Sequence, residues 1–297
     1  MRIHGVCVGT LAAVTLAVPA VAEAPLSPRG NFGGGALVSP PRDIFGAGNA
    51  VVALRALPER RLEIEATLRA GCGGKRTAGG DIAATTKVSA GGSFAKKGTV
   101  TQQPDPLTTV ITTYELSGRF TTEQSAEGTV SATIERSVEG RRTSCKTGKV
   151  NFGVRRPVTG VGKAGAAKAA RYFGTTAQRS AGGPARPIVL RISADGRRIT
   201  YALFAYSVKC SDDTVQIGVE APRTNIRVDS RGRVSDRDRS TQTEGETVVH
   251  IDDRFTGELG AKGARGTFAL SDRTTDRASG RAIQTCKTPT IRWRASR

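Results

Sequence analysis

Aromatic side chains are scarce in this 297-residue chain: nine Phe, four Tyr and one Trp make up only 5% of it. Any core must therefore rest mainly on Val, Leu, Ile and Ala. Histidine is rarer still, with His4 and His250 alone. No Cys-x-x-Cys pair occurs, which together with the missing imidazoles removes a structural zinc site. The chain has no G-x-S-x-G, no H-E-x-x-H, no phosphate-cradling G-x-x-x-x-G-K and no G-x-G-x-x-G after a strand. No apolar run beyond the first eighteen residues nears the ~20 residues of a membrane-crossing helix. Few aromatics interleave with the basic residues, so a stacking platform for RNA is missing too, and no nucleic-acid partner is expected.

The N-terminus carries an address. Arg2 charges a short leader, Val6 to Val18 form an apolar run, and Pro19 precedes the small-x-small sequence Ala20-Val21-Ala22. Residues 1–22 read as a secretory signal cleaved after Ala22. The alternative site after Ala24 would place Pro25, with its fixed backbone, next to the cut. Residues 23–30 form a short flexible lead. The expected mature protein is secreted, with no transmembrane segment. Cys7 and His4 leave with the signal, so four cysteines remain: Cys72, Cys145, Cys210 and Cys286. An even set in an exported chain argues for disulfides.

An internal repeat organises the rest. Asn31-Phe32-Gly33 answers Tyr172-Phe173-Gly174, and Leu54-Arg55 answers Leu190-Arg191. The same holds for Cys72 and Cys210, Gly118-x-Phe120 and Gly257-x-Leu259, Gly128-Thr129 and Gly266-Thr267, and Cys145-Lys146-Thr147 and Cys286-Lys287-Thr288. These landmarks are colinear: Phe32 and Cys145 each lie 141 residues before their counterparts, Cys72 138 before its own. The chain reads as two copies of one domain, residues 31–156 and 171–297, joined by a Gly-, Ala- and Lys-rich linker at 157–170 in which Gly162 to Ala170 can form one or two helical turns. Four cysteines allow three pairings; the duplication favours the one that repeats, Cys72–Cys145 and Cys210–Cys286. Closing each loop of more than seventy residues is worth about 4 kcal/mol in the chain-entropy model.

Both copies read as β. Leu62, Ile64, Ala66, Leu68 and Cys72 share one face of a strand while Glu63, Glu65, Thr67 and Arg69 take the other. Ala202, Phe204, Tyr206, Val208 and Cys210 keep that phase, but Tyr201 and Leu203 make the opposite face apolar as well. Val110, Thr112, Tyr114, Leu116 and Phe120 form another such face. Turn sequences such as Ala194-Asp195-Gly196 and Ser230-Arg231-Gly232-Arg233 separate the strands. Seven or eight short strands per copy predict an antiparallel β-sandwich in tandem duplication, one disulfide per domain, with a small barrel as the alternative.

Candidate chemistry is thin. A Ser-His-Asp site has only His250 to use, and the first copy has no histidine at the matching position. Asp212-Asp213, Asp236-x-Asp238 and Asp252-Asp253 lack calcium-loop spacing and lie near Arg or Lys, so they read as turn and strand-edge carboxylates. No catalytic, cofactor-binding or metal residue is assigned, and an enzyme is not expected. Charge is what invites a partner. Without Arg2 the chain has 44 basic and 26 acidic residues, a net +18, spread through both copies, the linker and the last strand (Arg292, Arg294, Arg297). Outside the cell such charge favours salt-sensitive contact with anionic envelope polymers or acidic glycans. The expectation is a secreted, non-catalytic binding or envelope-associated protein. Its rivals are an extracellular hydrolase acting on glycans through carboxylates brought together by the fold, and a structural or inhibitory module with an exposed apolar patch.

The pattern Tyr172-Phe173-Gly174-Thr175-Thr176, Cys210, Gly257-x-Leu259, Gly266-Thr267, Cys286 and Ile291-x-Trp293 resembles uncharacterised secreted β proteins of actinobacteria. The first copy departs from it with Gly34-Gly35 in place of Thr175-Thr176. The resemblance implies an extracytoplasmic β-sandwich and assigns no ligand or catalytic residue.

Overall fold

The computed structural model describes residues 26–36, 49–73, 76–179, 182–223 and 225–297. The expected signal and its cleavage site lie outside them. The first copy contains β1 (Gly30–Ala36), β2 (Ala50–Ala56), β3 (Arg61–Gly71), β4 (Thr77–Lys87), β5 (Ser93–Asp105), β6 (Thr108–Thr122), β7 (Ser125–Val138), β8 (Arg141–Lys146) and β9 (Val150–Arg155). The second contains β10 (Arg171–Arg179), β11 (Ala185–Ile192), β12 (Arg198–Cys210), β13 (Val215–Arg223), β14 (Ile226–Arg227), β15 (Arg233–Glu244), β16 (Thr247–Leu259), β17 (Gly263–Asp276), β18 (Ala282–Lys287) and β19 (Ile291–Ser296). A three-residue 3-10 turn, Pro58–Arg60, is the only helical piece among the described residues.

The two copies have one topology. Strand order is β4-β3-β2-β1-β9-β7-β6-β5 in the first and β13-β12-β11-β10-β19-β17-β16-β15 in the second, antiparallel throughout. Each sheet bends so that its two halves pack face to face across one core, giving a sandwich whose layers remain hydrogen-bonded where β1 meets β9 and β10 meets β19. Period-two alternation builds these cores. In the first, Phe32, Leu54, Leu62, Ile64, Leu68, Leu116, Phe120 and Phe152 are fully or almost fully buried. Tyr172, Leu190, Phe204, Phe255, Phe268 and Trp293 play that part in the second.

A second join closes each sandwich. β8 pairs with both β3 and β7, and β18 with both β12 and β17. The disulfides Cys72–Cys145 and Cys210–Cys286 sit at these joins, in the pairing the duplication favours. Residues 162–170 form no helix. Backbone groups of residues 161–165 are taken instead by the second copy: Ala261 N donates to Lys163 O (2.9 Å), Lys262 N to Val161 O (3.0 Å) and Gly165 N to Leu259 O (3.2 Å).

The copies pack through the outer faces of their first strands. β1 crosses β10 at Gly33 and Gly174, equivalent positions of the repeat, and a Cβ on Gly33 would stand 1.9 Å from Gly174 O. Only glycine permits that approach. Beside the crossing, Val51 of the first copy meets Phe173, Val189, Tyr201, Leu203 and Ala205 of the second. The second apolar face of β12 is therefore a seam between copies. Polar bonds border it: Tyr201 Oη donates to Asn49 Oδ1 (3.3 Å), Ala185 N to Asn31 Oδ1 (3.0 Å), and Arg55 to Gly182 O.

Candidate functional site: an arginine-lined groove on the second copy

Cross-strand register stacks the outward residues of β15, β16, β17 and β19 into rows. One row runs Ser235, Thr256, Thr267, Arg292; the next runs Arg233, Glu258, Arg265, Arg294 and continues to Thr175 on β10. Together with Arg227 and Asp229, the residues of β15, β16, β17 and β19 in these rows line an open basin of about 1060 Å³. A smaller hollow of about 370 Å³ shares Arg292 and Arg294 and reaches Thr175, Ala177, Pro157 and Asn31 of the first copy. Adjacent strands lie about 4.8 Å apart, so a groove crossing these five strands is about 19 Å long.

Its floor is hydroxyl-bearing, with Thr256 and Thr267 Oγ1 2.7 Å apart. Beneath them Gly257 and Gly266 leave room for the Trp293 indole; a Cβ on either would come within 2.7 Å of the ring. Trp293 stacks on Phe255 with centroids 5.2 Å apart, and its buried Nε1 has no hydrogen-bond partner among the described residues. The rim is cationic, and its arginines divide into two sets. Arg265 donates to Glu258 Oε2 from Nε (3.1 Å) and Nη2 (2.8 Å). Arg233 donates to Asp229 Oδ2 (2.8 Å), and the Arg233 backbone and side-chain bonds hold the Asp229 carboxyl below its ordinary range. Arg227, Arg292 and Arg294 are exposed and have no ion-pair partner among the described residues. Both groove carboxylates are thus committed to arginine, while three guanidinium groups face solvent.

The first copy supplies the comparison. Its registers place Ser93 where the second has Arg233, Glu127 where it has Arg265, Asn151 where it has Arg292, and Gly153 where it has Arg294. Its cross-strand pair Arg119–Glu127 reverses the charges of Glu258–Arg265. These four arginine positions are non-basic in the first copy, whereas the fifth groove arginine, Arg227, answers Lys87.

Other sequence candidates lie elsewhere. His250 is exposed on β16, its Nδ1 3.2 Å from Thr241 Oγ1. Asp252, on the same face, accepts from Arg237 (2.9 and 2.5 Å), which with Arg239 lowers its carboxyl to about 2. Asp253 turns inward and is buried. Asp212 caps its own turn, accepting from Thr214 N (3.1 Å) and Oγ1 (2.6 Å), and Asp213 pairs with Lys209 at 2.8 Å. Among the described residues no three His, Cys, Asp or Glu side chains gather as a metal site, and no helix is long and apolar enough to cross a membrane. Sequence reasoning named Arg292 and Arg294 only as basic residues of the last strand and did not single out Arg233 or Arg265. The available signal was the position-by-position contrast between copies, which needs the strand register to become a surface.

No protein-family model and no curated protein sequence matches the chain. Among solved structures, one provisionally assigned as AttH from Nitrosomonas europaea aligns over 89% of this chain and 91% of its own, at 9% identity and a TM-score of 0.19, too low to carry an argument.

Proposed function

We propose that this is a secreted, non-catalytic binding protein that holds an anionic envelope polymer or acidic glycan in the groove of its second copy. The observation that carries the reading is the asymmetry between copies. Charge that merely followed coding composition would fall on both outer faces alike; instead the groove of the second copy sets five arginines against Asp229 and Glu258, where the equivalent positions of the first copy hold Lys87 and Arg119 against Glu127. Arg292 and Arg294 alternate along one strand, so their guanidinium groups project from the same face about 7 Å apart at the backbone. Arginine offers planar, two-pronged donation to carboxylates and phosphates, and the Ser/Thr row adds neutral hydrogen-bonding partners for sugar hydroxyls. Export agrees with the leader and with two disulfides, which persist in oxidising compartments.

The test is retention of the oxidised mature protein on isolated envelope polyanions and acidic glycans across a salt gradient. The double substitution Arg292→Asn with Arg294→Gly installs the first copy's residues. It should elute at distinctly lower salt, whereas Arg141→Asn with Arg142→Gly, on the first copy's exposed β8, should elute almost with the unaltered protein. Equal elution of the two variants would mean that the groove is not the site.

A further inference from the structure

Where the copies meet, a crevice of about 180 Å³ opens beside the seam, independent of the groove. Arg186 of β11 forms its inner wall. The side chain is 9% exposed and donates from Nη1 to Glu65 Oε2 of the first copy at 3.2 Å. Its Nε, also buried, has no hydrogen-bond partner among the described residues. Facing it, Asp81 accepts from Thr67 Oγ1 (2.7 Å) through one oxygen and from Gln102 Nε2 (2.9 Å) through the other. Val51, Ala83, Val100, Pro187 and Ala205 supply apolar wall between these polar groups.

From this arrangement we infer that the crevice is a binding site for a short secondary amide, such as the acyl-amide group of a small molecule or of a larger partner's side group. Each part of that group has a counterpart. The carbonyl oxygen takes the waiting Arg186 Nε–H, because a buried donor left without an acceptor is costly and a ligand acceptor relieves it. The amide N–H finds acceptor capacity on the Asp81 carboxylate, which has more lone pairs than its two bonds consume. The acyl carbon packs on Val51, Val100 and Ala205. Glu65 balances Arg186 and leaves the Asp81 carboxylate uncompensated, so a carboxylate ligand is repelled; an ammonium group has no acceptor and would leave the Arg186 Nε–H unsatisfied. The volume admits a group of only a few heavy atoms, well below an ordinary ligand pocket of ~300 Å³ or more.

The experiment is a titration of the oxidised mature protein, with labelled methyl groups, against N-methylacetamide, with acetate and methylammonium as charged controls. Saturable shifts confined to the methyls of Val51, Ala83, Val100 and Ala205 are expected for N-methylacetamide, and at least ten-fold weaker responses for both ions. Ala83→Phe, an exposed outer-face change that fills the mouth of the crevice, should weaken the amide response ten-fold or more. Arg186→Met, which keeps the length and removes the donor, should do the same. Unsaturable shifts, a stronger response to either ion, or an amide response that survives Ala83→Phe in a folded protein would overturn the assignment. None of these outcomes touches the groove, whose test is polymer retention.

Discussion

At the residue scale, the buried Trp293 illustrates how one core position differs between the copies. Its counterpart by register is Phe152, which is also fully buried and opposes Gly128 as Trp293 opposes Gly266. The indole brings more apolar area but also a buried Nε1–H without a partner among the described residues, and such a donor costs about 1–3 kcal/mol. Trp293→Phe trades lost contact against that relieved donor. We expect a change in unfolding free energy within about 1 kcal/mol, measured by denaturant titration, rather than the 3–5 kcal/mol usual for truncating a large aromatic to alanine. The unaltered Trp293, as the chain's single tryptophan under the groove floor, also makes its fluorescence a reporter of groove occupancy.

At the element scale, the short strands β8 and β18 decide whether the sheets stay closed. β8 pairs with β3 through a single register pair, Gly71 with Lys146, and β18 with β12 through two, Lys209 with Lys287 and Cys210 with Cys286. So little backbone pairing is a weak join, and the disulfide at the same place holds it covalently. The Cys210–Cys286 bridge spans 76 residues, a loop worth about 4 kcal/mol through restriction of the unfolded chain. Replacing both cysteines by alanine should lower the unfolding free energy by about that amount. Hydrogen exchange should show β18 amides opening before those of β16 and β17, which pair along thirteen positions. Uniform protection across β16, β17 and β18 in the variant would show that the ladder alone suffices.

At the scale of the whole molecule, the crossing of β1 over β10 sets how the copies sit. Gly33→Ala places a methyl group 1.9 Å from Gly174 O, against backbone that cannot swing away. Overpacking of this kind costs about 1–3 kcal/mol, and the upper end is expected because the obstacle is main chain. The loss should be accompanied by a larger radius of gyration in small-angle scattering as the seam opens. Gly160→Ala, with nothing within 4 Å of the added carbon, should leave both unchanged. An unaltered scattering profile for Gly33→Ala would mean the seam is not set by this crossing.

Much of this was legible without coordinates. Alternation in residues 62–72 and 202–210 placed the buried faces, and colinear landmarks revealed two copies and with them the cysteine partners, because a duplicated fold repeats its local geometry. Two signals could be seen but not interpreted. Tyr201 and Leu203 made both faces of one strand apolar, and Gly33 and Gly174 recurred at equivalent places; period-two reasoning says that a second face is covered, not by what. The covering surface is the other copy, a contact between residues more than a hundred positions apart. The groove and the crevice belong wholly to the tertiary structure. Arg233, Arg265, Arg292 and Arg294 become neighbours only through the register of β15, β16, β17 and β19, and Arg186 reaches Glu65 only because the copies dock. Local sequence determines which way a side chain points along its strand, while the pairing of distant strands decides which side chains stand beside it.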